Sequence, residues 1–183
     1  MDTLPMPLVR LTAFMVLALL LAPSASFAQP QSVVAARPTL APSITLVEAR
    51  TIIDGAKTFA RGVNRLAAVA VVDSAGHLIS LDAMDGVRPN DIRGAQGKAF
   101  ASAIFRDTTQ DLGEVYKTRP DRFFGILNMY PGQVYLVGGG VPLAVDGKLV
   151  GAVGVAGLPE FVDEKAARAG VAAWETYRAT SAR

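Results

Sequence analysis

The stretch GGGVPLAVDGKLVGAVGVAG, residues 138–157, determines how the rest of the chain is interpreted. Its three consecutive glycines suggest a phosphate-binding loop, but such a loop leads from a strand into a helix N-terminus, where backbone amides face the anion. Here the glycines lead into the apolar segment 141–145, and Asp146-Gly147 then makes a tight turn before a second apolar segment, 149–157. The sequence therefore predicts a β-hairpin whose glycines are mostly architectural, not a nucleotide site.

Small side chains occupy one face of the second hairpin strand. The residues that alternate along this face are Val150, Ala152, Gly154 and Ala156. Because side chains this small leave room, another backbone or a helix can approach the strand closely. The last helix, predicted over residues 160–179, has a stripe of small residues of its own. We therefore expect that helix to pack on this face of the strand.

The beginning of the chain is predicted to lie outside the folded domain. Residues 11–22, LTAFMVLALLLA, form an apolar run shorter than the roughly 20 residues that span a bilayer. Ser26-Phe27-Ala28 follows with the small residues of a secretory cleavage site. We predict a signal peptide over residues 1–28 and a flexible, proline-containing leader over residues 29–43. An uncleaved membrane anchor is the alternative for the apolar run.

Composition excludes several kinds of chemistry. The chain has no cysteine, so thiolate catalysis, iron–sulfur clusters and cysteine zinc sites are ruled out. Its net charge is +2, and lysine and arginine are scattered instead of forming a stripe, so we expect no nucleic acid partner. The mature protein is predicted to be periplasmic or secreted, with one domain over residues 44–180.

Helix and strand patterns alternate through this domain. The predicted elements are, in order, a helix over 45–62, strands over 66–73 and 77–84, a helix from 89 to about 105, a helix beginning at Thr108 or Thr109, an irregular segment over 121–133, the hairpin and the last helix. A capping box formed by Thr45 and Glu48 marks the start of the first helix. Each pair of strands is joined as a hairpin. The sequence therefore predicts an α+β fold, with a mainly antiparallel sheet covered by helices.

Few side chains stand out as candidates for chemistry. His77, the only histidine, could act as a general base or metal ligand. It lies at a predicted hairpin tip, however, and this position favours an exposed polar residue without such a role. Lys98 is offset from the apolar stripe of an alanine-rich helix, which favours a solvated lysine. Asp163 and Glu164 fall in the first turns of the last helix, where acidic side chains favour the helix dipole. Thr108 begins a capping-box pattern.

The domain as a whole resembles the GlcG/HbpS family of haem-binding proteins. The resemblance is carried by SITLVEARTIIDGA, VAVVDSAGHLISLDAMDG, GKAFASAIFRDTTQDL, the hairpin sequence quoted above and DEKAARAGVAAW, and it covers about residues 43–174. It implies a profilin-like fold with a five-stranded antiparallel sheet between helices. It also implies homo-oligomers and extracytoplasmic binding of haem or a related iron compound.

The resemblance further implies where a ligand binds. It links haem to a threonine of the segment FRDTT, here Thr108 or Thr109, which is a weak iron ligand, and it matches Lys98 of the alanine-rich helix. The aromatic-rich stretch 122–137 departs from the family pattern. Within that stretch, Tyr130 is a further candidate for contact with haem.

Three functions follow as hypotheses. The first is weak, reversible binding of haem or a related tetrapyrrole by an exported protein, with enzymatic activity left open. The second is a periplasmic enzyme or accessory protein for a small organic acid, whose carboxylate would be held by Lys98, Arg106 and Arg119. The third is a structural or sensory partner of a membrane sensor or transport protein.

Overall fold

The computed structural model describes residues 43–181, so the predicted signal peptide and nearly all of the predicted leader lie outside the described residues. The elements, in chain order, are α1 (Leu46–Gly62), β1 (Ala68–Asp73), β2 (Leu78–Ala83), α2 (Pro89–Phe105), α3 (Thr109–Thr118), a 3-10 turn (Pro120–Phe123), α4 (Phe124–Met129), β3 (Gly140–Val145), β4 (Lys148–Ala156) and α5 (Glu160–Ser181). In this part of the chain, no helix combines the length and apolar character needed to cross a membrane.

The strands form one antiparallel sheet in the order β2-β1-β4-β3. The two hairpins meet through the central strands β1 and β4, where Ala70 faces Gly154. This arrangement confirms the predicted α+β fold with an antiparallel sheet covered by helices. The profilin-like label stays a prediction.

The expectation of a five-stranded sheet is wrong, because the described residues form four strands. Residues 134–139, which precede β3, form no strand of their own, and their last carbonyl, that of Gly139, accepts from the Val155 amide of β4 at 2.9 Å. Earlier in this segment, the Tyr135 amide donates to the Gly97 carbonyl of α2 at 3.3 Å.

Larger aliphatic side chains cover one face of the sheet, and α1 and α5 pack against them. The buried strand residues on this face include Val69, Val71, Val153 and Val155. The two helices approach each other through glycine: a side chain at Gly55 of α1 would meet Ala173 of α5, and one at Gly170 would meet Ile52. The capping box at the start of α1 is confirmed, with the Thr45 amide donating to Glu48 Oε2 at 2.9 Å.

Alanine and glycine dominate the opposite face, which α2 covers. The residues buried there include Ala70, Ala95, Ala99, Ala152 and Ala156. A Cβ atom at Gly154 would overlap the Ala95 carbonyl and the Ala99 amide of α2. The expectation that the last helix packs on this face is therefore wrong: α2 takes that place, since its own alanines let its backbone reach the strand.

The segment after α3 is helical, although it was expected to be irregular. A 3-10 turn leads directly into α4, which has no buried residue. Phe123 is buried against Phe105, with ring centroids 5.3 Å apart, and anchors this segment to the end of α2. Phe124 and Met129 point outward and are 60% and 68% exposed. The segment is thus anchored at Phe123 and presents apolar surface to its surroundings.

Candidate functional site

Lys98 lies in the interior, with only 2% of its surface exposed. Its Nζ donates to the Val155 carbonyl at 2.9 Å and to Asp163 Oδ2 at 2.7 Å. The ring of Tyr135 covers the ammonium group, with its centroid 5.8 Å from Nζ. The expectation of a solvated lysine is wrong, because the small residues of α2 bring β4 and its carbonyl groups within reach of the side chain.

Asp163, the partner of Lys98, is also buried. Its second oxygen, Oδ1, accepts from the Leu158 amide at 2.9 Å. Burial raises the pKa of Asp163, although the Lys98 ammonium and the Leu158 amide oppose that rise. Asp163 lies in the first turns of α5, as expected, but it is buried there and neutralises the Lys98 cation instead of standing at the surface.

Thr109 and the glycines before β3 complete this polar cluster. Thr109 is fully buried, and its Oγ1 donates to the Val137 carbonyl and accepts from the Gly140 amide, both at 2.7 Å. A Cβ atom at Gly139 would lie 3.0 Å from Lys98 Nζ, and one at Gly140 would lie 2.6 Å from Thr109 Cγ2. The glycine run therefore lets Lys98 and Thr109 close on the chain where it enters β3.

Thr108 has a different role from its neighbour. It is the N-cap of α3, is half-buried, and its Oγ1 accepts from the Asp111 amide at 3.1 Å and donates to Asp111 Oδ2 at 2.7 Å. The cap predicted from the sequence is confirmed. Because part of the side chain remains accessible, Thr108 is the threonine of the pair that a ligand can reach from outside.

Tyr130 lies at the end of α4 and packs on α2. Its ring meets the ring of Phe100 edge-on, with centroids 5.1 Å apart. On the other side, Phe100 lies against the β1–β2 turn, where a side chain at Gly76 would meet its ring. Between the turn, α2 and residues 132–133 there is a cleft of about 240 Å³. Tyr130 thus packs on α2 near the cleft, whereas Lys98, a residue of α2, lies beneath the Tyr135 ring.

His77 occupies the exposed β1–β2 turn, as expected, with 79% of its side chain exposed. Its Nδ1 lies 3.1 Å from Asp73 Oδ2, while Oδ1 of the same carboxylate accepts from the His77 and Ala75 amides. Burial alone would raise the pKa of Asp73, but these hydrogen bonds hold it below its usual value. The carboxylate orients the imidazole and leaves Nε2 without a partner among residues 43–181.

The cation cluster expected for an organic acid is not assembled around Lys98. The Lys98 ammonium is committed to Asp163, and Arg119 pairs with Asp121 through a bond of 2.9 Å from Nη2 to Oδ2. Within the described range there is also no group of three His, Cys, Asp or Glu side chains suited to a bare metal ion.

Comparison with known proteins identifies the family of this chain. Residues 44–172 match the family model described as Haem degrading protein HbpS-like. A double-mutant structure of HbpS from Streptomyces reticuli is 33% identical, with 76% of this chain and 94% of that chain covered and a TM-score of 0.66. No curated protein matches the chain significantly. Since the family model covers most of the sequence, the chain belongs to the HbpS-like family.

Two more distant structures share the fold. A PduOC:heme complex is 23% identical, with 72% of this chain and 94% of that chain covered and a TM-score of 0.65. The Klebsiella pneumoniae protein ORFY is 20% identical, with 76% and 96% covered and a TM-score of 0.68. At these identities the likeness concerns the arrangement of helices and strands.

The donor atoms in the described residues fit a haem group. Histidine and tyrosine are both known axial ligands of haem iron. The chain offers one accessible imidazole, that of His77, held by a carboxylate as ligating histidines usually are. It also offers the phenol of Tyr130 and the hydroxyl of Thr108 as oxygen donors at the surface. The side chains of Thr109 and Lys98 are enclosed and are not accessible from the surface.

Sequence reasoning missed the two partners of Lys98, Asp163 and Tyr135. One signal for a buried lysine was present: Gly94, Ala95, Gly97 and Ala99 surround it on α2. A helix this poor in large side chains is approached closely by its neighbours, and a lysine on it is then enclosed and needs a counter-charge. No pattern in the sequence indicated which of the acidic residues supplies that charge.

Proposed function

We propose that this protein binds haem or a closely related tetrapyrrole reversibly. The observation that carries this proposal is membership of the HbpS-like family over residues 44–172, together with the relationship to HbpS itself at 33% identity. The heme complex of PduOC, a protein of the same fold, supports the choice of ligand. Bound haem supplies an iron centre whose chemistry the axial ligand and its surroundings tune.

The macrocycle is proposed to lie on the surface beside Phe100 and Tyr130 and not within the cleft there. The cleft beside Phe100 measures about 240 Å³, below the roughly 300–1,000 Å³ typical of enclosed ligand pockets. The exposed side chains of Phe124 and Met129 offer apolar area that a flat porphyrin can cover. A surface position shields the iron incompletely, which favours weak and exchangeable binding.

The proposed contacts divide into two groups. Thr108 and Tyr130 are reachable oxygen donors. Lys98, bonded to β4, and Thr109, bonded to the first residue of β3, are proposed as positioning residues. A hydroxyl or phenol is a weaker ligand than a thiolate, and the chain has no cysteine to supply one. This division retains all four residues that the sequence suggested.

His77 is a second candidate ligand, favoured by one specific observation. Its Nδ1 is held at 3.1 Å from Asp73 Oδ2, and this contact directs Nε2 away from the protein. A carboxylate bonded to the far nitrogen raises the basicity of a ligating imidazole. Ligation through His77 gives a histidine spectrum, which distinguishes it from an oxygen donor.

Export and assembly belong to the same proposal. The apolar run at residues 11–22 and the cleavage pattern after it support a periplasmic or secreted protein. The exposed apolar residues of α4 support a homo-oligomer that buries them, with or without haem at the contact. A membrane sensor or transport protein is a further proposed partner, because an exported haem binder must pass its ligand on.

The family description also raises haem degradation as a second function. Cleavage of the porphyrin consumes dioxygen and electrons. A partner reductant must supply the electrons. A bound Soret band that is stable with ascorbate in air indicates a binding protein. A band that disappears only in the presence of the protein indicates degradation.

Ligand variants test the proposed contacts. Thr108→Val and Tyr130→Phe each remove one oxygen donor and are expected to weaken hemin binding, whereas Thr108→Ser keeps its hydroxyl and serves as the matched control. Metal-free protoporphyrin IX should bind wild type and variants alike, because it reports on apolar packing without iron ligation. Hemin binding that is lost only in His77→Ala would assign ligation to His77, and absence of hemin binding to wild type would overturn the proposal.

A further inference from the structure

The cleft between the β1–β2 turn and α2 has the chemistry of a small binding site. Phe100 forms one wall, Leu78 and Val72 add apolar surface, and Gly132 forms part of the opposite rim. The Phe100 ring contacts the Tyr130 ring, with centroids 5.1 Å apart, and it also lies against the turn at Gly76. This wall is therefore preformed. A flat apolar group therefore finds a rigid surface in the cleft.

Three polar residues line the same cleft: Arg93, Gln96 and Gln133. No hydrogen bond or ion pair within residues 43–181 engages their side chains. Arg93 is the one charged residue among those lining the cleft, so no carboxylate there neutralises it. By contrast, Arg88, the N-cap residue of α2, already bonds to Asp91 through Nε and Nη2, each at 2.9 Å.

An unpaired guanidinium beside amide groups and an aromatic wall matches one class of ligand. The planar fork of arginine binds a carboxylate through two parallel hydrogen bonds, and amide groups supply further donors. We infer that this cleft binds the carboxylate of a small organic acid, with the apolar part of the acid against Phe100. A volume of about 240 Å³ equals about eight water molecules at roughly 30 Å³ each, which suits a compact acid.

The carboxylate has two possible sources, a free organic acid or a propionate of haem held over the cleft. Both use the same contacts with Arg93, so the inference concerns the carboxylate site and stands apart from iron ligation. It also differs from the organic acid site expected at Lys98, because the Lys98 ammonium is enclosed with Asp163.

Benzoate is a suitable probe, with benzamide as the uncharged molecule of the same shape. Calorimetric or NMR titration of the purified protein is expected to give saturable binding of benzoate at millimolar concentration. Benzamide should bind at least about tenfold more weakly, because it lacks the charge-assisted pair. Arg93→Gln should weaken benzoate binding by about tenfold or more. Arg50→Gln is the matched control, since it makes the same charge change on α1, which covers the other face of the sheet.

The outcomes separate this inference from the proposed function. Equal binding of benzoate and benzamide, an unchanged dissociation constant in Arg93→Gln with an unchanged circular dichroism spectrum, or no saturable benzoate binding would each overturn it. If hemin displaces benzoate, but hemin dimethyl ester does not, the carboxylate comes from a propionate. If neither displaces it, the cleft takes a free acid. Benzoate binding in a protein that does not bind hemin would keep the carboxylate site and remove the haem function.

Discussion

The Nζ atom of Lys98 lies 2.7 Å from Oδ2 of Asp163, and the two side chains are 2% and 4% exposed. The pair joins α2 to α5, two helices that cover opposite faces of the sheet. A second contact, from Nζ to the Val155 carbonyl, ties the pair to β4. The last helix is therefore connected to the fold by a buried charge as well as by apolar packing.

Breaking the ion pair on one side should be costly. Lys98→Met leaves the Asp163 carboxylate buried without its counter-charge, and the free energy of unfolding is expected to fall by about 3–5 kcal/mol. The double variant Lys98→Met/Asp163→Leu removes both charges and should be more stable than Lys98→Met alone. Urea unfolding of wild type, Lys98→Met, Asp163→Leu and the double variant measures the coupling. Strictly additive losses would show that the two charges do not depend on each other.

Two glycines, one in the close contact between β4 and α2 and one in α4, are expected to respond oppositely to substitution by alanine. A Cβ atom at Gly154 would overlap the backbone of α2, so Gly154→Ala should lower the free energy of unfolding by roughly 1–3 kcal/mol or more. Gly125→Ala, in α4, meets no atom within 4 Å and should be neutral or stabilising by about 0.4–1 kcal/mol. Denaturant midpoints compare them, and equal midpoints would refute the close approach of α2.

The lowered pKa of Asp73 predicts how the stability of the fold depends on pH. Its pKa in the folded protein lies below the usual 3.8, so the carboxylate stabilises the fold above that pH. This stability is lost as pH falls through the lowered folded pKa, where the carboxylate takes up its proton. Asp73→Asn keeps an oxygen acceptor for the turn amides but cannot titrate. Acid unfolding curves should therefore be flatter for Asp73→Asn below about pH 4, whereas parallel curves would contradict the assignment.

The sequence predicted those features that depend on local rules. The Thr45 capping box, the cap at Thr108 and the Asp146-Gly147 turn each follow from a few neighbouring residues, and all three are present. The partner of Gly154 was assigned to the wrong helix because small residues permit close packing without specifying which element packs. The number of strands was also wrong, since the resemblance implied five and the described residues form four.

The candidate site was predictable only in part. Lys98 and Thr109 were identified through a resemblance, but their burial depends on contacts between residues far apart in the chain, such as Lys98 with Asp163. Charge alone suggested a solvated lysine, since most lysines are solvated. The enclosure of Lys98 becomes visible only when α2, β4 and α5 are placed together.

Thr109 should matter for stability through its hydroxyl group. Thr109→Val preserves the shape of the side chain but leaves the Gly140 amide and the Val137 carbonyl without their buried partner, at a cost of about 1–3 kcal/mol. Thr109→Ser keeps both hydrogen bonds and should lose less. Thermal unfolding followed by circular dichroism compares the two variants. A larger loss in Thr109→Ser would mean that the methyl group, and not the hydroxyl, secures β3.

The most direct test of the account is an absorbance titration of the purified protein with hemin. We expect a Soret band that differs from that of free hemin and increases to saturation at a fixed ratio of hemin to protein. Because the haem is proposed to lie at the surface and to be shielded incompletely, apomyoglobin added afterwards should remove it readily. Spectra equal to the sum of free hemin and protein at every ratio would contradict the claim that this HbpS-like chain binds haem.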